Sequence, residues 1–180
     1  MPSTRPTPRF SGARRTNLRA GAAAAALLLA TAAQRSLALG LPANEVVLTI
    51  SGRLRRPGAR LEFDMAMLAA LPQVSFTTRT PWYANPRKFT GPLLRDVLAA
   101  AGAAGSMLRA IALNDYWVDI PVADTVHYDV TVARLLDDQP LTVRDKGPLF
   151  VIYPFDSRPE LHDPVHYGRS AWQLRTIEVR

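Results

Sequence analysis

The sequence predicts an α+β domain in which short strands outnumber helices. Three observations lead there. Runs of β-branched and aromatic residues such as Val46–Gly52 are closed by turn formers such as Arg56-Pro57-Gly58. Only a few short stretches carry apolar residues at helical spacing, and no internal repeat is present. A basic, alanine-rich N-terminal segment differs in composition from the rest of the 180 residues and leaves enough chain for one domain.

That segment reads as an export signal over residues 1–38, with the domain at 39–180. Met1–Arg19 carries Arg5, Arg9, Arg14, Arg15 and Arg19 without an acid, and Ala20–Ala33 is small and apolar around Leu27-Leu28-Leu29. Small residues permit cleavage after Ala32 or after Ala38, and the second is preferred. The apolar run falls short of the roughly 20 residues a bilayer-spanning helix needs, so no membrane span is expected after cleavage. Arg14-Arg15-Thr16-Asn17-Leu18-Arg19 resembles a twin-arginine signal, with Asn17 where an aromatic is usual, so both export routes stay open. Either route predicts a periplasmic, exported protein.

The formal charge of +7 is concentrated in that segment. It holds six of the 22 basic residues and none of the 15 acids, so the remaining chain is close to neutral. Nucleic-acid binding needs a concentrated cationic surface, and that class is set aside. With zero cysteines, disulfides, thiolate metal sites and cysteine nucleophiles are excluded.

Along the domain, Val46–Gly52 is a first strand with Leu61-Glu62-Phe63 as its hairpin partner. Asp64 caps a short helix, Met65–Leu71, which Pro72 stops. Val74, Phe76 and Thr78 alternate with polar neighbours as in a half-buried strand, and Arg79–Thr90, with Pro81 and Pro86, is expected to be a loop. Gly91-Pro92 is expected to open a second helix carrying Leu94, Val97, Leu98 and Ala101 on one face, ended by Gly102. Leu108–Leu113 and Tyr116–Ile120 form two strands joined at Asn114-Asp115, and Pro121–Val126 makes a helical turn. Tyr128–Leu136 fits strand or helix equally. Asp137–Pro140 is a turn, followed by an extended Leu141-Thr142-Val143. Leu149–Tyr153 is the most apolar run and is expected to be a central strand. Asp156–Gly168 is expected to be a polar loop, and Ala171–Val179 a final strand.

No single motif carries catalysis. His162 and His166 have a metal-ligand spacing, but Pro164 between them argues for a surface loop. His127 stands alone. Asp115 and Asp119 read as turn and strand residues rather than an acid–base pair. Ser106 and Ser170 lack the glycine context of a nucleophile elbow, and no phosphate loop or dinucleotide fingerprint is present.

The joint order of four segments is more informative: Thr90-Gly91-Pro92-Leu93-Leu94-Arg95-Asp96-Val97-Leu98, Asp138-Gln139-Pro140-Leu141, Lys146–Pro154 and Trp172–Val179. Together these resemble the oxidoreductase molybdopterin-binding domain of sulfite oxidases, plant-type nitrate reductases and periplasmic methionine sulfoxide reductases. The resemblance spans most of Val46–Arg180. It implies a mixed, mainly β fold with several sheet layers and short helices, enclosing a pterin-bound molybdenum.

Catalytic members of that family place a cysteine four residues before a tryptophan. Counting back from Trp82 reaches Thr78, in Thr78-Arg79-Thr80-Pro81-Trp82. A thiolate is a soft anion available near neutral pH, whereas a threonine hydroxyl stays protonated. The resemblance therefore implies a non-catalytic or divergent ligand-binding or accessory domain. The alternative is a molybdenum-dependent oxidoreductase ligated through oxygen, from Thr78 or solvent. The candidate pocket is Thr78, Arg79, Trp82 and Arg169, and Lys88, Arg144 and Lys146 are further candidate anion contacts. The ligand is a molybdopterin, another small anion or a periplasmic protein partner, and a third possibility is a structural or interaction module whose exposed loop Asp156–Gly168 meets a membrane or signalling partner. The surroundings of Thr78 decide between these readings: a deep basic pocket shared with Trp82 and Arg169 favours a cofactor, and hydrophobic filling favours a structural role.

Overall fold

A computed structural model describes residues 40–180. The proposed export signal at 1–38 lies outside the described residues. The described chain is mixed α+β, mostly sheet with a few short helices.

Strand β1, Val46–Gly52, buries Leu48 and Ile50 by simple alternation, and β2, Leu61–Asp64, folds back against it. Asp64 ends β2 and caps α1, Met65–Ala70: its Oδ1 accepts the Met67 amide at 2.8 Å. Its Oδ2 accepts the amides of Ala43 and Asn44 at 3.0 and 3.1 Å, tying down the chain that leads into β1.

The expected loop at Arg79–Thr90 is instead the second half of a long hairpin. Strand β3, Gln73–Thr80, turns at Pro81-Trp82 into β4, Tyr83–Pro92. Pro86 misled the reading because a proline cannot serve a regular ladder. The register shifts between Thr78, paired with Arg87, and Thr80, paired with Tyr83, so Pro86 sits in the irregular stretch.

Gly91 and Pro92 also belong to β4, and the helix α2 begins later, at Leu94–Ala101. The glycine is required for packing: a Cβ there would stand 2.0 Å from the carbonyl oxygen of Val132. Leu94, Val97 and Leu98 are the buried face of α2, and Gly102 closes it in the left-handed region at φ 67°.

Strands β5, Met107–Ala112, and β6, Trp117–Pro121, form the expected hairpin across Asn114-Asp115. Helix α3, Val122–His127, follows at once. The ambiguous stretch resolves into β7, Thr131–Ala133, and β8, Leu135–Leu136, with β9, Gln139–Pro140, after the turn. The extended reading of Leu141–Val143 gives way to a 3-10 turn at Val143–Asp145, capped by Thr142.

The apolar run contributes β10, Phe150–Ile152, but not to the centre of a large sheet: it pairs antiparallel with β7 in a two-stranded sheet. Its burial explains its composition, since all three residues are inaccessible. The expected loop at Asp156–Gly168 holds two 3-10 turns, Phe155–Ser157 and Pro159–Leu161, and helix α4, Pro164–Arg169. Pro164 does not oppose this helix because it stands at the first position, where no amide is needed. Strand β11, Leu174–Val179, takes the central place instead.

The large sheet runs β2-β1-β11-β5-β6, with β1 and β11 parallel and the other pairs antiparallel. A second sheet runs β3-β4-β8-β9. One continuous core joins both, from Leu48 and Phe63 through Leu94 and Phe89 to Phe150, Phe155 and Ile177. Among the described residues, no helix is long and apolar enough to cross a membrane.

Candidate functional site

The turn between β3 and β4 brings three of the four candidate pocket residues to one end of the second sheet. Thr78 is only 1% exposed. Its Oγ1 accepts the backbone amide of Asp156 at 3.0 Å, and its hydroxyl hydrogen points to the carbonyl of Arg79 at 3.3 Å. It thus locks β3 to the 3-10 turn Phe155–Ser157. Arg79 adds to the same junction: its amide and its Nε both donate to the Asp156 carboxylate, at 3.0 and 3.2 Å.

Trp82 packs in an aromatic cluster. Its ring centroid lies 5.5 Å from Phe150, 5.5 Å from Trp172, 6.2 Å from Phe155 and 6.3 Å from Tyr167. The Trp172 and Tyr167 rings stand nearly perpendicular to it, at 89° and 82°. Outside these rings opens a cleft of about 420 Å³, with Pro81, Trp82, Tyr116, Tyr167, Ser170 and Trp172 among its walls. Thr78 and Arg169 do not line it.

Arg169 faces the interior instead. Its Nη1 donates to Asp124 Oδ2 at 2.9 Å, and the buried Tyr153 hydroxyl donates to the same oxygen at 2.7 Å. Burial first, and then the Asp124 carboxylate, pushes the Tyr153 phenol well above its ordinary range. It stays protonated as a donor. The trio joins α3, the residue after β10 and the end of α4.

A second, shallower cleft of about 450 Å³ adjoins the first, sharing Pro81 and Tyr167 and adding Arg79, Thr80 and His162. His162 connects the two ends of a short chain of polar groups. Its Nε2 lies 3.1 Å from Asp156 Oδ1, and its Nδ1 lies 3.0 Å from the Tyr167 hydroxyl. Burial raises the Asp156 carboxyl, but hydrogen bonds and charge from Arg79, with a smaller share from His162, hold it below the usual range.

His166 points elsewhere, its Nδ1 lying 2.9 Å from Asp163 Oδ2. The two histidines do not converge, and no group of three metal-ligating side chains occurs among the described residues. Asp115 and Asp119 pair separately with Arg175 and Arg109. Lys88 pairs with Asp138 at 2.8 Å, and Arg144 is exposed on its 3-10 turn. Lys146 lies over the Trp172 ring at 4.6 Å and near Tyr83 at 5.6 Å.

These residues do not fit a pterin-bound molybdenum held as the resemblance implies. The Thr78 oxygen is spent on two backbone groups and sealed from solvent. Arg79, Lys88 and Arg169 are each neutralised by a carboxylate. Hydrophobic rings, not cations, surround Trp82.

Sequence reasoning placed Arg169 and Trp82 near one another but missed the walls of the cleft. Tyr116, Tyr167 and Trp172 come from the β5–β6 turn, helix α4 and the segment just before β11, and the available signal was only their aromatic identity.

Fold and cleft together define a mixed, mostly sheet α+β protein with an aromatic surface cleft. No protein-family model matches the chain, and no curated protein matches it either.

Proposed function

We propose that the chain is an exported, non-catalytic binding or accessory domain that uses a molybdopterin-domain-like scaffold without its cofactor chemistry. The observation that carries this reading is the Thr78 hydroxyl. Where a catalytic relative would present an anionic sulfur to the metal, this chain uses a neutral oxygen to hold the Asp156 amide at 3.0 Å. Arg79 and Arg169 are each already paired with a carboxylate, Asp156 and Asp124, which offsets the positive charge an incoming pyrophosphate would meet. The binding surface in this reading is the aromatic cleft, which is open and has no ionised side chain among the described residues that line it.

The test is metal and pterin analysis of full-length protein isolated from its native exported fraction. The proposal expects substoichiometric molybdenum and no pterin. Stoichiometric molybdenum, with redox cycling, would establish the rival oxidoreductase with oxygen ligation. Recovery of the protein only inside the cell would remove the exported part of the reading.

A further inference from the structure

We propose that the aromatic cleft binds a quaternary ammonium group, such as the trimethylammonium head of choline or of a betaine. This rests on the reading of the chain as a binding domain and names its ligand class. Four rings line the cleft: Trp82, Tyr116, Tyr167 and Trp172. Trp172 and Tyr167 are each nearly perpendicular to Trp82, at 89° and 82°, so the rings form a corner rather than a stack. An aromatic face carries partial negative charge, and several faces around one space make a site for a diffuse cation.

The other walls favour this cation over competing ligands. Among the described residues no basic side chain lines the cleft, so a carboxylate or phosphate finds no counter-charge there. Among the described residues no carboxylate lines it either, so a primary ammonium finds no counter-charge, and its strongly hydrated N–H groups lose more on leaving water than a trimethylammonium does. A quaternary nitrogen has no N–H to satisfy. Ser170 Oγ spends its one hydrogen on the carbonyl of His166 at 3.2 Å, so it has none to donate to a hydroxyl-rich ligand.

The site is held in place from behind. The Tyr167 hydroxyl is fixed by His162, itself against Asp156, and Trp82 packs on the buried Phe150 and Phe155. Only Tyr116, 57% exposed on the β5–β6 turn, is free of such support. Lys146 shows that the cluster attracts cations: its ammonium rests 4.6 Å from the Trp172 ring, yet it is not a wall of the cleft. Its charge opposes a second cation on that ring.

The experiment is a titration of the full chain, followed by tryptophan fluorescence and calorimetry. The probes are choline, tetramethylammonium and the neutral analogue of choline in which tert-butyl replaces trimethylammonium. Both cations are expected to bind, with the neutral analogue at least about tenfold weaker. Tyr116→Ala is expected to weaken choline binding several-fold without changing stability, since that ring is exposed. Gly168→Leu is expected to block the cleft that this glycine lines; a Cβ there meets nothing within 4 Å, so the backbone accepts a side chain, and an unchanged denaturation midpoint checks that the fold is kept. Lys146→Met is expected to tighten the cations and leave the neutral analogue unchanged. Equal binding of choline and its neutral analogue would overturn the proposal. So would no binding at millimolar cation, or binding indifferent to both Tyr116→Ala and Gly168→Leu. None of these results bears on molybdenum content, so the proposed function stands or falls separately.

Discussion

The side chain of Thr78 accepts the backbone amide of Asp156 at 3.0 Å, a bond that spans 78 positions of sequence and joins β3 to the 3-10 turn at Phe155–Ser157. Thr78→Val keeps the shape and removes the acceptor. It is expected to cost about 1–2 kcal/mol of unfolding free energy, while Thr78→Ser keeps the bond and costs less. Denaturant midpoints of the two variants check the order; a larger loss for Thr78→Ser than for Thr78→Val would mean that the methyl group, not the oxygen, matters.

The buried Asp124 carboxylate serves two donors at once, Tyr153 at 2.7 Å and Arg169 at 2.9 Å. Asp124→Ala strands both inside the protein and is expected to destabilise it by about 3 kcal/mol. Asp124→Asn, which keeps an acceptor, is expected to lose less, and Tyr153→Phe about 1 kcal/mol. Thermal unfolding of the three variants gives the ranking.

Gly91 and Gly168 make opposite predictions for the same change. Gly91→Ala drives a Cβ to within 2.0 Å of the Val132 carbonyl oxygen and is expected to cost about 3 kcal/mol by forcing β4 from β7. Gly168→Ala, in open space at the end of α4, is expected to be neutral or slightly stabilising. Paired denaturation curves decide it, and a tolerated Gly91→Ala would contradict the close strand contact.

Several carboxyls are held below the ordinary range: Asp64 by the Met67 amide, Asp119 by Arg109, Asp137 by the Lys88 amide and Asp163 by the His166 amide. The folded state therefore binds fewer protons than the unfolded one in acid. Stability from these groups is complete above their unfolded values, near pH 4, and falls as pH drops through the lowered folded values. The denaturation midpoint is expected to be flat in these groups above about pH 5 and to fall below about pH 4, less steeply in high salt. A midpoint that rises on acidification below about pH 4 would contradict the assignment.

Much of the fold was legible where a local rule met no competitor. Asp64 as cap, Gly102 as stop and the Asn114-Asp115 turn each act within a few residues. The failures came from prolines whose cost the fold avoids: Pro86 lies where the ladder is already irregular, and Pro164 takes the first position of α4. Leu149–Tyr153 announced its burial but not its partner, because apolar composition reports depth rather than pairing. The site was less legible for a related reason. Arg169 is bound to Asp124 across 45 positions, and the cleft collects rings from turns and from helix α4, so no spacing in the sequence records either arrangement.

The central claim is that position 78 is a closed structural joint rather than a vacated metal ligand. The most direct measurement is the molybdenum content of full-length Thr78→Cys produced in a host that makes and inserts the cofactor. The account predicts that restoring the sulfur leaves the protein folded and without bound molybdenum, because the position stays buried against the turn that carries the Asp156 amide. One molybdenum per chain in that variant would contradict it.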